Sequence, residues 1–103
     1  MHTIQGFELQ AALRLYEGQN TYLHIEAIPG CFVRNVQATI TKCHVAGSKT
    51  YRVALQLSDG GWVRVEGLTH WVTDEQGRLI IAGHDELGRL TSGLELSLES
   101  FPA

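Results

Sequence analysis

The sequence predicts a single, mainly β domain, in which an antiparallel meander forms a curved sheet or a small barrel with one N-terminal helix packed on it. Three observations carry this prediction. The chain has 103 residues, which fits one domain spanning 1–103. Apolar residues with helical spacing occur only near the start, over 4–17. Alternation with a period of two dominates 21–98.

The N-terminal segment has the spacing of an amphipathic helix. Its apolar side chains recur at intervals of three or four residues and form one stripe, which a sheet face or an open sheet end would cover. Thr3 is a suitable N-cap, and Gly18 is suited to the position just after the helix. The residues of the stripe are Ile4, Phe7, Ala11 and Leu15, and Ala12 and Tyr16 widen it.

The pattern changes to strands after Gly18. Residues 21–28 alternate cleanly, with His24 and Glu26 on one face and aliphatic residues on the other. Pro29-Gly30 and Asp59-Gly60-Gly61 mark turns. Gly67 is expected to bend or bulge the chain. The predicted strands of this half are 21–28, 31–45, 50–58 and 62–66.

A short internal repeat organises the last third of the chain. Asp74-Glu75-Gln76-Gly77-Arg78-Leu79 returns eleven residues later as Asp85-Glu86-Leu87-Gly88-Arg89-Leu90. An Asp-x-x-Gly stretch suits a type I turn that ends on a left-handed glycine, so each copy predicts a β-hairpin. Strands are therefore expected at about 70–73, 79–83 and 89–98. Many short antiparallel strands leave open edges, and partial closure into a barrel is one remedy.

Charge and hydropathy argue against several classes of partner. The formal net charge is −3, and the arginines are scattered along the chain, so neither nucleic acid nor an anionic membrane surface is an expected partner. The N-terminus lacks a basic segment followed by an apolar stretch, and the longest aliphatic run, 79–82, is far too short to cross a membrane. These features together favour the cytoplasm.

Two cysteines, Cys31 and Cys43, do not form a CxxC pair, which gives no support to a redox site or a zinc ribbon. Two free thiols in a reduced compartment are the simpler expectation. A single disulfide stays open if the two cysteines lie on adjacent strands.

Histidines and nearby carboxylates are the candidate binding residues. His24 and Glu26 share one strand face. If Asp74 opposes Arg78, then His70 opposes Ala82, and His84 becomes a diagonal neighbour of His70 at about 7–8 Å between Cα atoms. A register slip of one residue would put them on opposite faces. Partly buried structural histidines are the competing interpretation. The full candidate set is His24, Glu26, His70, Trp71, His84 and Asp85.

Recognised catalytic and cofactor motifs do not occur in this chain. No HExxH or CxxC spacing supports a metal site, and no glycine-rich phosphate loop supports a nucleotide cofactor. No Gly-x-Ser-x-Gly elbow surrounds a serine, and Cys43 and His44 should point to opposite sheet faces. We therefore expect no metal and no cofactor, and we assign no catalytic residue. Trp62 and Trp71 are expected to pack in the core, although an exposed tryptophan beside His70 would mark a protein interface.

Several segments resemble the YojF family of small bacterial proteins over residues 20–98, most densely over 61–90. The resemblance implies a cytoplasmic protein of Bacillus-like bacteria whose gene is often a neighbour of a bacillithiol-type deacetylase. It implies no catalytic residue, and neither cysteine belongs to it. The segments are Tyr22-Leu23-His24-Ile25-Glu26, Arg34-Asn35, Tyr51-Arg52-Val53, Gly61-Trp62-Val63, Gly67-Leu68-Thr69-His70-Trp71, Asp74-Glu75-Gln76-Gly77-Arg78-Leu79 and Ala82-Gly83-His84-Asp85.

Two functions fit these features of the sequence. The first is a non-enzymatic binding or accessory module that acts with a deacetylase of thiol metabolism and can form a homo-oligomer. The second is a small hydrolase or isomerase with a pocket of histidines and carboxylates, in which a carboxylate sets the tautomer of a histidine. The second requires the His70 and His84 imidazoles to share one face within about 10 Å.

Overall fold

The computed structural model describes residues 1–102, and it confirms a mainly β fold with one helix. The helix packs on an antiparallel sheet of eight strands. In chain order the elements are β1 (His2–Thr3), α1 (Gly6–Arg14), β2 (Asn20–Ala27), β3 (Cys31–Gly47), β4 (Tyr51–Leu57), β5 (Trp62–Leu68), β6 (His70–Thr73), β7 (Leu79–His84) and β8 (Leu90–Ser97).

The sheet is strongly curved but does not close into a barrel, so of the two predicted shapes the curved sheet is correct. Its strand order is β1-β6-β7-β8-β2-β3-β4-β5. Two meanders, β2 to β5 and β6 to β8, are joined where β8 pairs with β2. The long strand β3 pairs with β2 through residues 31–39 and with β4 through residues 40–47. It therefore belongs to two sheet regions, which we call the first sheet (β1, β6, β7, β8, β2) and the second sheet (β4, β5).

The two sheet regions face each other across the core. The carbonyl oxygen of Glu66 in β5 accepts a hydrogen bond from Ser92 Oγ of β8 at 3.2 Å. A Cβ atom on Gly83 would stand 2.2 Å from the Gly67 carbonyl oxygen, so only glycine permits this close approach. The fully buried core side chains are mostly Leu and Ile from both regions and the helix: Leu9, Leu13, Leu23, Ile40, Leu55, Leu68, Leu79, Ile81, Leu94 and Leu96.

The helix is shorter than predicted and turns a different stripe inward. It covers 6–14 rather than 4–17, and a series of turns leads on to Gly18. Thr3 does not cap it, because Thr3 pairs with His70 in β1 and holds the chain extended. Phe7 and Leu15, assigned to the buried stripe, are 78% and 76% exposed. The buried side chains are instead Leu9, Leu13 and Tyr16 together with Ile4.

The helix covers the edge of β3 that β2 leaves unpaired. Gln10 donates from Nε2 to the Cys43 carbonyl oxygen at 2.8 Å and accepts at Oε1 from the Val45 N–H at 2.9 Å. Glu17 accepts from the Cys43 N–H at 2.8 Å. These side chains satisfy backbone groups that a neighbouring strand would otherwise bind.

The repeated turns have the predicted hairpin geometry. In the first, the Asp74 N–H donates to the Arg78 carbonyl oxygen at 2.9 Å, and Gly77 has a φ of 78°. In the second, the Asp85 N–H donates to the Arg89 carbonyl oxygen at 2.9 Å, and Gly88 has a φ of 76°. Gly67 also behaves as predicted, since it lies in a bulge of β5 with a φ of 72°.

Candidate functional site

Most of the candidate side chains lie on the outer face of the first sheet. The register sets His70, Ala82, Gly93 and Glu26 side by side across β6, β7, β8 and β2. Residues paired in this way point to the same face. His24, two residues before Glu26, shares that face, and so does His84, two residues after Ala82.

His24 is held on both of its ring nitrogens. Arg34 donates from a guanidinium nitrogen to Nδ1 at 3.1 Å, and Nε2 lies 2.9 Å from Glu26 Oε1. A guanidinium group can only donate, so Nδ1 carries a lone pair, and the ring proton on Nε2 is donated to Glu26. His24 is only 5% exposed. Arg34, His24 and Glu26 therefore form a closed Arg–His–Glu chain of hydrogen bonds, in which both ring nitrogens of His24 have a partner.

Aromatic rings and the C-terminal segment cover the three hydrogen-bonded side chains of Arg34, His24 and Glu26. Phe32 and Phe101 lie edge-on to the His24 ring, with centroids at 5.3 and 6.1 Å. Arg34 also stacks over Phe101, 5.0 Å from its centroid. Asn35 bonds both backbone groups of Phe101, at 2.9 Å and 2.7 Å. Sequence reasoning placed none of Arg34, Asn35 or Phe101 at the site.

Asn35 explains why Arg34 meets His24. The register between β2 and β3 shifts after the Leu23–Val36 pair, so that His24 opposes Arg34. Asn35 is the extra residue of this bulge, with a φ of 58°. Asparagine tolerates the left-handed region better than most residues. The Arg-Asn dipeptide was visible in the sequence, but strict alternation along β3 could not reveal the bulge.

His70 and His84 form the predicted neighbouring pair. The register is the one expected from the Asp74 hairpin, with His70 opposite Ala82. The two rings meet edge to face, with centroids 5.1 Å apart and planes at 83°. The geometric condition set for a shared histidine site is therefore met.

Thr69 links the two histidines. Its Oγ1 lies 2.7 Å from His70 Nδ1 and accepts the His84 N–H at 3.1 Å. The same hydroxyl lies 3.3 Å from the Ala82 carbonyl oxygen. His84 Nδ1 is buried and has no hydrogen-bond partner among residues 1–102. Unlike His24, this pair keeps a nitrogen uncommitted.

Asp85 serves its own turn rather than the histidines. Its carboxylate accepts from the Arg89 and Leu87 N–H groups at 2.9 Å and from the Arg89 guanidinium at 2.8 Å. The hydrogen bond from the Arg89 backbone lowers the pKa of Asp85 most. Partial removal from water opposes that lowering, and the Arg89 side chain, the Leu87 N–H and the nearby His84 add to it.

Trp71 does not join the other candidates. It follows His70 on β6, so its side chain points to the core face, where it packs against the buried cluster. Its ring contacts His2 edge-on at 5.7 Å, and its Nε1 is buried without a partner in the described chain. Core packing is confirmed for Trp71. It is wrong for Trp62, which is 57% exposed.

The two histidine groups do not share one pocket. The β7 and β8 strands separate Glu26 from His70, which corresponds to about 14 Å at the usual strand spacing. Within residues 1–102, no three His, Cys, Asp or Glu side chains converge as metal ligands would. The site thus consists of a closed Arg–His–Glu chain on β2 and β3 and an open histidine pair on β6 and β7.

Exposed apolar side chains occur together where β2 and β7 end and β8 begins. The turn after β2 is bound to β8, since the Ile28 N–H donates to the Thr91 carbonyl oxygen at 2.9 Å. A depression of about 410 Å³ lies within residues 26–32. We call this group of side chains the apolar rim, and its members are between 43% and 75% exposed. They are Ile28, Phe32, Leu87 and Leu90.

The two cysteines lie near opposite ends of the same strand, β3, so the disulfide left open from the sequence does not form. Cys31 is exposed and Cys43 is buried. Burial, followed by the negative charge of Glu17, raises the pKa of the Cys43 thiol to about 12. Cys43 is therefore a thiol, not a thiolate, near neutral pH, and it packs as a small apolar residue.

The described residues contain no helix that is long and apolar enough to span a membrane.

Comparison with known proteins gives one consistent result. Residues 27–101 match the model of a family described as a protein of unknown function, DUF1806. The chain is 32% identical to the uncharacterized protein YojF of Bacillus subtilis (strain 168), and the alignment covers 98% of each sequence. It is also similar to the crystal structure of the Bacillus subtilis YojF protein, with a TM-score of 0.90 over 98% of this chain and 96% of the other.

Proposed function

The chain belongs to the YojF family (DUF1806), and with that membership as the premise we propose that it is a non-enzymatic accessory module that binds a deacetylase of thiol metabolism in the cytoplasm. The gene neighbourhood implied by the family resemblance motivates the choice of partner. The apolar rim is the observation that carries the proposal of binding.

The rim has the composition of a protein contact surface. Phe32, Ile28 and two leucines are exposed at one end of the sheet, beside the polar groups of Glu26 and His84. Grouped apolar side chains with a polar border are typical of interaction sites, whereas singly scattered ones need no explanation. None of the four belongs to the buried core cluster, so a partner can cover them without unfolding the domain.

The engaged carboxylates support binding rather than catalysis. Glu26 is bonded to His24, and Asp85 is bonded to its own turn and to Arg89. A general acid or base must reach the substrate with its proton-transferring atom. The two carboxylates that the catalytic hypothesis offered are instead used within the fold.

Co-purification with the neighbouring deacetylase tests this proposal. We expect a complex at micromolar concentration, and we expect Phe32→Glu and Leu87→Glu to weaken it at least about tenfold by placing charge in an apolar contact. Leu15→Glu is the matched control, because Leu15 is equally exposed but lies beside Thr73 and Gly77 at the opposite end of the sheet. Absence of a complex together with an unchanged deacetylase rate would refute the proposal.

A second copy of the chain is the other partner that the rim could accept. Light scattering of the purified protein at several concentrations distinguishes the two cases. A dimer that Phe32→Glu dissociates and Leu15→Glu preserves assigns the rim to self-association. A monomer that binds the deacetylase assigns the rim to that partner.

A small hydrolase or isomerase is the second candidate, and the 5.1 Å contact between the His70 and His84 rings favours it. In that case the two imidazoles would transfer the proton, without help from Glu26 or Asp85. The test is a turnover screen with ester, amide and epimerisable substrates. His70→Ala and His84→Ala should each abolish any activity found, while Leu15→Glu should leave it unchanged. Activity that survives both histidine variants would exclude this site.

A further inference from the structure

A second surface carries charge of the opposite sign to the protein as a whole. The chain has a net charge of −3, yet the outer face of the second sheet and the adjoining part of β3 expose three basic side chains and one histidine. Glu66 is the acidic residue of these strands, at the edge of the patch. We call this surface the cationic face. It consists of Lys42, His44, Arg52, Ala54, Trp62 and Arg64.

Strand register brings these residues together. Ala54 on β4 stands between His44 on β3 and Arg64 on β5. Arg52, two residues before Ala54, is a diagonal neighbour of Arg64, at about 7–8 Å between Cα atoms. Ala54 has only a methyl side chain, so the surface is lower at Ala54 than at the larger side chains around it. An open depression of about 490 Å³ is lined by Arg52, Ala54, Trp62 and Arg64.

Trp62 lines one side of this depression with a flat aromatic surface. It is 57% exposed, and His44 lies nearly parallel to it, with centroids 6.3 Å apart and planes at 25°. Val53 and Leu55 fill the opposite face of the neighbouring strand, so the core does not require this tryptophan. An exposed indole beside cationic groups is suited to stacking with a planar ring.

Within the described chain, neither of the two arginines is held in a short ion pair. Arg64 makes one long contact, 3.6 Å to Glu66, and both side chains are about 60% exposed (60% and 61%). Arg52 takes part in no ion pair among residues 1–102. By contrast, Arg78 and Arg89 are held by turn aspartates at 2.7 and 2.8 Å. Two guanidinium groups on adjacent strands that line the same depression can together bind the several oxygens of a phosphate group.

We propose that the cationic face binds a small ligand that joins a planar heteroaromatic ring to a phosphate group, with the ring on Trp62 and the phosphate between Arg52 and Arg64. The depression is large enough to seat one such molecule. A long polyanion fits less well, because the remaining surface of a chain with net charge −3 would repel it. This ligand would occupy a different surface from the apolar rim, so the proposal is independent of the partner proposed above.

Titration with adenosine 5′-monophosphate tests this site, with binding measured by calorimetry and by tryptophan fluorescence. We expect saturable binding of the nucleotide. Adenosine alone and inorganic phosphate alone should each bind about tenfold or more weakly, because each lacks one of the two contacts. No saturation by the nucleotide up to about 5 mM would overturn the proposal.

Variants locate the binding on the surface. Arg52→Ala and Arg64→Ala should each weaken nucleotide binding about tenfold, and Trp62→Ala about fivefold. Arg14→Ala is the matched control, since it removes one exposed positive charge from the helix and should leave binding unchanged. Circular dichroism verifies that each variant is folded. Equal binding by the Arg64→Ala and Arg14→Ala proteins would overturn the assignment.

A ten-nucleotide single-stranded DNA distinguishes the small ligand from a nucleic acid. We expect the oligonucleotide to bind no more than about tenfold more tightly than the mononucleotide. Binding about a hundredfold tighter, with a steep dependence on salt, would overturn it in favour of a nucleic-acid surface.

Discussion

His24 and His84 lie on the same outer face of the first sheet, but their ring nitrogens meet different neighbours. His24 is placed between Arg34 and Glu26 and covered by two phenylalanine rings. His84 contacts another imidazole and leaves Nδ1 buried without a partner in residues 1–102. The comparison shows that residue type and sheet face do not assign a role to a histidine. Its role depends on whether neighbouring strands supply partners for both nitrogens.

Replacing each histidine with alanine is the most direct way to break this comparison. His24→Ala should lower the free energy of unfolding by about 2–3 kcal/mol, because it leaves a cavity and removes the bonding partner of two charged side chains. His84→Ala should cost less than about 1 kcal/mol, because the atom it removes is already unpartnered. Urea unfolding at neutral pH measures both values. Equal losses in the two variants would contradict the distinction.

Thr69 tests how the open pair is held. Thr69→Val keeps the shape of the side chain but removes the hydroxyl that accepts the His84 N–H and touches His70 Nδ1. We expect a loss of about 1–2 kcal/mol in unfolding free energy. Thr69→Ser retains the hydroxyl and should recover most of that loss. If valine and serine behave alike, the hydroxyl is not what positions the histidines.

The smallest expected effect on stability comes from Asp74 and Asp85, the aspartates of the two repeated turns at the ends of β7. Partial removal from water raises the pKa of Asp74. The hydrogen bonds from the Arg78 backbone and side chain, the charge of Arg78 and the hydrogen bond from the Gln76 N–H together lower this pKa by more, so the net shift is downward. The pKa of Asp85 is lowered too. A lowered folded-state pKa stabilises the fold above the unfolded value of about 4, and this stabilisation is lost as the pH falls through the folded value.

Asp74→Asn and Asp85→Asn should therefore flatten the fall in the urea midpoint between neutral pH and about pH 3. The change should be larger for Asp74, whose partner Arg78 has a side chain 27% exposed, compared with 73% for Arg89. Unfolding curves at the two pH values provide the measurement. A midpoint that falls as steeply in both variants as in the parent protein would rule out this linkage.

The sequence predicts best where local turn chemistry sets the register. Two Asp-x-x-Gly turns place His70 opposite Ala82 and bring His84 beside it, because a hairpin loop of given length fixes the pairing of its strands. Pairs from distant segments were missed. Arg34 reaches His24 through a bulge at Asn35, and Phe101 comes from the C-terminal segment.

The helix and the second sheet show the same limit. Several apolar stripes can be drawn on the first eighteen residues, and only contact with the sheet selects Leu9 and Leu13 over Phe7. Arg52 and Arg64 look scattered in the sequence, yet the pairing of β4 with β5 makes them neighbours. Surface charge patterns of a sheet follow from strand order, which composition does not contain.

The side chains of Gln10 and Glu17 have a consequence for solubility and assembly. They occupy backbone groups of Cys43 and Val45 that would otherwise template another β-strand. Release of the helix would leave these backbone groups at the edge of β3 without hydrogen-bond partners, and it would also expose apolar core surface. A lesion in this helix should accordingly promote intermolecular strand addition, so precipitation should precede any simple loss of secondary structure.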